Sequence, residues 1–158
     1  MKRVISVLVE NKFGVLSRIA ALFAARGFNI ESLSVAETDD PSISRMTIVV
    51  TADERVLEQV VKQLRRLIDV IKVEDITEKE HVERELVLVK VKSSSNQRGE
   101  IVELTNIFRG KIVDVSANTI TIEITGAEGK IKGFLSLLKN YGIKELIRTG
   151  KVAISRGG

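Results

Sequence analysis

The spacing of apolar residues changes in the same order twice along this chain, and no other feature of the sequence restricts the fold as much. Apolar side chains at every second position indicate a strand, and apolar side chains three and four positions apart indicate a helix. In the first half, strand patterns cover residues 3–10, 28–37, 45–50 and 70–76, and helical patterns cover residues 16–23 and 56–68. The alternation changes parity between Ile30 and Leu33, which predicts a β-bulge. The resulting order, βαββαβ, is that of a ferredoxin-like α+β fold.

Both helices of the first half have a predicted end and a predicted buried face. The first helix is followed by Arg26-Gly27, which is typical of a helix C-terminus. The second is preceded by residues 51–54 (TADE), which match a capping box with Thr51 as the N-cap. The predicted buried stripes are Leu16, Ile19, Ala20 and Phe23 in the first helix, and Val56, Leu57, Val60, Val61, Leu64, Leu67 and Ile68 in the second.

The same order of elements recurs after a charged segment. Residues 77–85 (TEKEHVERE) contain few apolar side chains and are predicted to form a linker. Strand patterns then cover residues 86–92, 111–117, 119–125 and 143–155, and helical patterns cover residues 99–109 and 130–141. A chain of 158 residues is long enough for two small domains. The sequence therefore predicts two tandem βαββαβ domains, at residues 1–76 and 86–158.

The composition excludes most kinds of catalytic site. The chain has no cysteine, which excludes thiolate nucleophiles and disulfides. It has a single histidine, His81, so a Ser-His-Asp triad is disfavoured. The adjacent carboxylates of Asp39 and Asp40 precede Pro41 in a predicted turn and are interpreted as solvated. We therefore predict no catalytic residue and no metal site. No apolar run approaches the roughly 20 residues that cross a bilayer, and no signal peptide is visible, so a cytoplasmic protein without membrane contact is expected.

A nucleic-acid-binding function is weighed because the net charge is +4 and RNA-binding RRM domains share the βαββαβ order. Basic and acidic residues alternate closely, as in residues 78–80 and 83–85, whereas a nucleic-acid interface concentrates its basic residues. RRM domains stack bases on aromatic side chains of their central strands, and residues 4–9 and 45–50 contain no aromatic residue. An RNA-binding module therefore remains only a remote alternative.

The segment between the first strand and the first helix contains the residues best suited to bind a ligand. A helix N-terminus favours an anion, and Gly14 lets the backbone approach a ligand without an intervening Cβ. Asn11 adds an amide donor and acceptor. Together they would suit the carboxylate and amino group of a free amino acid. Spacing alone also fits a simple turn at Gly14 and a helix cap at Asn11, so both interpretations stay open at this point.

The motif Asn-x-x-Gly-Val-Leu after a first strand, in this order of elements, resembles the ACT domain, a family of amino-acid-sensing regulatory modules. The longer segments SVLVENKFGVLSRIAALFAARGFNIESLSVAETDDPSISRMTIVV and HVERELVLVKV resemble the small regulatory subunits of acetolactate synthase (acetohydroxyacid synthase). This resemblance extends over nearly the whole chain, to the final RTGKVAISRG.

The resemblance implies a function in branched-chain amino-acid (valine, leucine and isoleucine) biosynthesis. In that family, ACT domains pair side by side in a homodimer, valine binds at the pair interface, and the subunit activates the catalytic large subunit and confers feedback inhibition by valine. Thiamine diphosphate, magnesium and FAD are implied for the large subunit, and no cofactor is implied for this chain. The matching effector-site residues are Asn11, Gly14, Val15, Leu16, Asn29 and Ile30.

The second half lacks the ligand-binding motif. An offset of 83 residues, the spacing of the two Arg-Gly pairs, places Ser94, Gln97 and Ile112 at the positions of Asn11, Gly14 and Asn29. We therefore expect the second domain to serve in dimer packing or in contact with the catalytic subunit.

Two other functions are compared with this one. An autonomous enzyme is disfavoured because the chain has no Gly-Asp-Gly segment for binding thiamine diphosphate and its metal. A free-standing ACT sensor, acting on another enzyme or on transcription, is the nearer alternative, although no helix-turn-helix segment is visible.

Overall fold

A computed structural model describes residues 2–157, which divide into two compact units. Residues 2–82 and 151–157 belong to the first unit, and residues 83–150 form the second. The helices and strands of the βαββαβ part of the first unit are β1 (Lys2–Glu10), α1 (Val15–Ala25), β2 (Ile30–Glu37), β3 (Ile43–Thr51), α2 (Glu54–Arg66) and β4 (Val70–Asp75). Its antiparallel sheet has the strand order β2-β3-β1-β4, so β2 and β4 are the edge strands.

The second unit repeats this architecture, which confirms the predicted pair of βαββαβ units. Its strand order is β6-β7-β5-β8, equivalent to that of the first unit. The strands and helices are β5 (His81–Lys92), α3 (Arg98–Ile107), β6 (Lys111–Val115), β7 (Thr119–Gly126), α4 (Glu128–Leu138) and β8 (Ile143–Arg148).

One face of the first sheet packs against α1 and α2. The core contains every second residue of β1 and β3 together with one side of each helix. The α1 stripe is Val15, Ile19 and Phe23, whereas Leu16 is 43% exposed, so the predicted stripe was shifted at its start by one residue. Ile68 is also outside the core, because α2 ends at Arg66 before the helical spacing does, and its side chain is 93% exposed. The predicted bulge in β2 is confirmed by a register shift between Ile30 and Ser32.

The N-terminus of α2 differs from the predicted capping box. Thr51 is the last residue of β3, and its hydroxyl donates to Glu31 Oε1 over 2.6 Å. The N-cap is Asp53, whose carboxylate accepts from the backbone N–H of Arg55 over 2.9 Å. Strand β3 continues through Thr51, so the helix starts two residues later than a Thr51 cap requires.

We expect Asp53→Ala to lower the free energy of unfolding of the first unit by about 1 kcal/mol, because it removes a side-chain N-cap. For a unit of this size that corresponds to a fall of roughly 4–8 °C in the melting temperature. Thermal denaturation followed by circular dichroism measures the change. Asp53→Asn is the matched control and should remain near the parent, since asparagine caps helices about as well as aspartate. An alanine variant as stable as the parent would contradict the assigned cap.

In the C-terminal segment, the predicted strand pattern of residues 143–155 forms two strands. The chain forms β8, passes Gly150 at a φ of 80°, and continues in β9 (Val152–Ser155). Ala153 packs with Val4, Val49 and Ile76, and its N–H donates to Thr47 Oγ1 over 3.3 Å. The last residues therefore belong to the first unit, and β5 begins within the predicted linker, so these boundaries differ from the predicted 1–76 and 86–158.

Candidate functional site

The connection from β1 to α1 forms a backbone-lined site at a helix N-terminus. Gly14 is the N-cap of α1 and has a φ of 85°, in the left-handed region that favours glycine. No side chain caps this helix, and its first turn contains no acidic residue. The first N–H groups of α1 therefore lack a side-chain acceptor, and no carboxylate of the helix's own first turn neutralises the positive end of the helix dipole. This arrangement suits an anionic group of a ligand.

Asn11 joins this loop to the turn between β2 and β3. Its Nδ2 donates to Pro41 O over 3.0 Å and to Glu37 Oε2 over 3.3 Å, and its backbone N–H donates to Ser42 O over 2.7 Å. The structure therefore contradicts the interpretation of Asn11 as a cap of α1. Its exposed amide and the Glu37 carboxylate place hydrogen-bonding groups and a negative charge beside the loop.

The other two predicted site residues lie at the opposite end of the sheet. Asn29 is exposed and precedes β2, whose first residue, Ile30, is level with Val50 of β3. The last residue of β2 is Glu37, and it is the one that Asn11 contacts. Ile30 and Glu37 are seven positions apart along the strand, which corresponds to about 23 Å. Within one chain, therefore, Asn29 and Ile30 do not meet the group formed by Asn11, Gly14, Val15 and Leu16.

The members of that group differ in what they offer a ligand. Val15 is 4% exposed and its side chain is part of the core, so only its backbone can face a ligand. Leu16 is 43% exposed and presents an aliphatic side chain at the start of the helix. The loop thus combines backbone donors with an available apolar surface.

Strand β2 leaves one of its edges open. The N–H of Thr38 donates to Ile43 O over 2.8 Å. This bond shows which residues of β2 direct their backbone N–H and C=O groups towards β3. Because backbone groups alternate along an antiparallel strand, those of Val35 and Glu37 point away from β3, towards the open edge. Such an edge is able to pair with a further strand.

Two cations lie near the loop. Lys12 Nζ is 2.9 Å from Glu10 Oε2, and hydrogen bonding to Glu10 raises the pKa of Lys12 above its ordinary value. Arg18 forms an ion pair through Nη2 with the carboxylate of Asp69, which is buried. A Cβ added to Gly14 would lie 3.3 Å from Arg18 Nη1. Sequence reasoning missed Arg18, although its position one helical turn after Gly14 was a usable signal.

The acidic turn of residues 39–41 has a structural role. Asp40 Oδ1 accepts hydrogen bonds from Ser42 N and Oγ over 3.0 and 2.7 Å, and these bonds lower the pKa of Asp40. Among residues 2–157, no group of three or more His, Cys, Asp or Glu side chains is placed to hold a metal ion. No helix in the same range is long and apolar enough to cross a membrane.

The equivalent loop of the second unit is closed by its own side chains. Gln97 is the N-cap of α3, as Gly14 is of α1, which supports the 83-residue offset. Its φ is −93°, and its Oε1 accepts from Ser94 N and Oγ over 3.3 and 3.2 Å. A side chain thus stands where the first unit has a glycine.

Comparisons with known proteins agree over both units. The family model described as "AHAS small subunit-like ACT domain" matches residues 5–72, and "Small subunit of acetolactate synthase" matches residues 84–157. A "Probable acetolactate synthase small subunit" of Archaeoglobus fulgidus is 60% identical, covering 99% of this chain and 98% of the relative. The "Acetolactate synthase isozyme 3 small subunit" of Escherichia coli is 49% identical, covering 99% and 97%. The crystal structure of the acetolactate synthase small subunit of Thermotoga maritima has a TM-score of 0.90 at 44% identity, covering 100% and 99%.

Proposed function

Because this chain belongs to the family of acetolactate synthase small subunits, we propose that it binds valine between two copies of itself and so controls the catalytic large subunit. As a member of that family it is a regulatory subunit of acetolactate synthase and is not catalytic by itself. Family membership also implies partnership with the catalytic large subunit. The proposal adds the effector, the dimer, activation of the large subunit and its feedback inhibition.

The observation that carries the proposal is the division of the effector residues between the two ends of β2. Asn11 contacts Glu37 at the end of this strand, whereas Asn29 precedes its start. A two-fold axis that pairs β2 with β2 of a second copy, antiparallel, brings the start of one strand beside the end of the other. Asn29 and Ile30 of the second copy then approach Asn11 and Gly14 of the first. Two copies would complete two equivalent sites that one copy leaves divided.

The chemistry of each completed site suits a small aliphatic amino acid. The backbone N–H groups at the uncapped start of α1 would donate to the carboxylate, and the Asn11 side-chain oxygen and the Glu37 carboxylate would accept from the ammonium group. The exposed side chain of Leu16 supplies apolar contact for an aliphatic side chain. One methylene in such a pocket changes the binding free energy by about 1–3 kcal/mol. Leucine and isoleucine are therefore expected to bind as well, with affinities that differ from that of valine.

Regulation follows if the large subunit binds the valine-bound and valine-free dimers differently. A coupling free energy of this kind is typically about 1–3 kcal/mol and is reciprocal, so the large subunit must also change the affinity for valine. Thiamine diphosphate, magnesium and FAD belong, in this proposal, to the large subunit, and the complex acts in the cytoplasm.

The proposal predicts that adding this chain to its large subunit raises the rate of acetolactate formation and makes that rate sensitive to valine. Calorimetric titration of the isolated chain with each of the twenty amino acids should show the tightest binding for valine or another branched-chain amino acid. Alanine, which keeps the carboxylate and ammonium groups, is the matched control ligand for the aliphatic contact. Binding of valine without any effect on the large subunit would favour a free-standing sensor instead. Absence of both binding and activation would refute the proposal.

A further inference from the structure

We infer that Arg18 binds the carboxylate of the effector and that Asp69 positions Arg18 for this contact. The inference rests on the proposed function, since it concerns the same loop. It adds to the effector site a cation and a positioning residue from another part of the chain.

The guanidinium of Arg18 lies beside the loop that starts α1. Arg18 follows Gly14 by one helical turn, and long side chains in helices lean towards the N-terminus. Its Nη1 lies 3.3 Å from the point where a Cβ on Gly14 would stand. A carboxylate bound at the uncapped start of α1 would therefore be close to this guanidinium as well as to the backbone N–H groups.

Arg18 has donors to spare for a ligand. In the part of the chain that the structure describes, Asp69 is its single side-chain acceptor, and the ion pair uses Nη2. A guanidinium carries five N–H donors in a planar fork, so it is able to bind two carboxylates at once. The Arg18 side chain is 50% exposed, which leaves it accessible to a small molecule.

Asp69 restricts where Arg18 can be. The Asp69 side chain is 9% exposed, and its backbone oxygen accepts from the N–H of Glu10 over 2.8 Å at the end of β1. The Asp69 backbone is therefore held at the end of β1, and its buried side chain lies beside the connection from β1 to α1. A long arginine side chain held by such a partner loses less conformational freedom on binding a ligand than a mobile one does.

The other cation of the loop is less suitable and serves as a control. Lys12 is 63% exposed, and its Nζ already contacts Glu10 over 2.9 Å. Both Lys12 and its partner are solvated, since the Glu10 side chain is itself 41% exposed. Lys12→Gln, like Arg18→Gln, removes one positive charge close to the start of α1, but it leaves the proposed contact of Arg18 with the carboxylate intact.

The test compares valine with valinamide, which lacks the carboxylate but keeps the side chain and the amino group. Calorimetry near pH 6.5 keeps both amino groups largely protonated. In Arg18→Gln, valine affinity is expected to fall by about tenfold to hundredfold, the usual effect of removing a hydrogen bond to a charged group. Valinamide affinity should change by less than about threefold. Arg18→Lys should recover part of the valine affinity, because it restores the charge without the fork.

A second variant separates binding from stability. Arg18→Gln alone leaves the buried Asp69 carboxylate without its cation, which can destabilise the unit. The double variant Arg18→Gln/Asp69→Asn removes both charges and is expected to show the same selective loss of valine. Lys12→Gln should bind both compounds as the parent does. Circular dichroism and sedimentation confirm folding and dimerisation in each case.

Three results would overturn the inference in distinguishable ways. If the parent binds valine and the folded double variant binds it within about threefold, Arg18 does not contact the carboxylate. If the double variant loses valine and valinamide affinity equally, Arg18 only supports the loop. If the parent binds neither compound, the proposed function fails, and the role of Arg18 fails with it.

Discussion

Gly14→Asp is expected to weaken valine binding about thirtyfold or more, while the variant still dimerises and activates the large subunit. The new carboxylate would stand close to Arg18 Nη1, which lies 3.3 Å from the position of the added Cβ. It would also face the uncapped start of α1 and so take the place of the effector carboxylate. Two like charges about 4 Å apart at an effective dielectric constant near 20 repel by about 4 kcal/mol. Half of that free energy corresponds to a loss of about thirtyfold.

The control for this variant is Gly14→Asn. The φ of Gly14 is 85°, so any side chain here introduces backbone strain. Asparagine and aspartate are similar in shape, and both tolerate the left-handed region better than other residues, so their difference isolates the charge. We expect the asparagine variant to bind valine more tightly than the aspartate variant by at least tenfold. Calorimetry, and acetolactate formation with and without valine, measure the two effects.

Two outcomes would contradict this account of Gly14. If both variants lose valine to the same extent, strain and not charge explains the effect. If Gly14→Asp binds valine as tightly as the parent, Gly14 is a turn residue and the effector binds elsewhere. Circular dichroism is required in either case, because an unfolded first unit would also lose valine binding.

The fold was predictable because each element has its own period of apolar residues. Two errors in the predicted helix stripes occur where a helix and its apolar pattern do not start or end together. Val15 continues directly from Gly14 and enters the core, which displaces Leu16 towards solvent. Ile68 keeps the helical spacing after α2 has ended, because Leu67 already has an extended conformation with a ψ of 131°. Periodicity indicates a face of a helix but contains no information about where the backbone leaves the helix.

The candidate site was only partly predictable for a related reason. Asn11 and Gly14 belong to one continuous segment, so their proximity follows from the sequence. The ion pair joins Arg18 of α1 to Asp69, 51 positions later and just before β4, so only the tertiary fold brings the two residues together. Ala153, near the end of the chain, likewise packs into a core cluster of the first unit through its small side chain. Contacts between residues so far apart in the chain produce no local pattern in the sequence.

Val35→Pro is expected to convert the proposed dimer into a monomer of 17.5 kDa and to abolish the proposed response to valine at ordinary concentrations. Val35 lies in the edge strand β2, and its backbone groups point away from β3. Proline has no N–H and its ring obstructs a strand approaching from that side, but it leaves the bonds to β3 in place. Without antiparallel pairing of β2, Asn29 of one copy cannot reach Asn11 of the other. Sedimentation velocity measures the mass, and calorimetry measures valine binding.

Val35→Thr is the matched control, because threonine keeps both the backbone N–H and the β-branched shape that favours a strand. It should remain a dimer that binds valine. Val35→Lys provides a second disruptive variant without a constraint on φ: across a two-fold axis the two new charges would lie near each other, and charged side chains protect open edges from pairing. A monomeric variant that binds valine as the parent does would show that one copy holds a complete site. A proline variant that stays dimeric and sensitive to valine would place the interface away from β2, and the divided positions of Asn11 and Asn29 would then need another explanation.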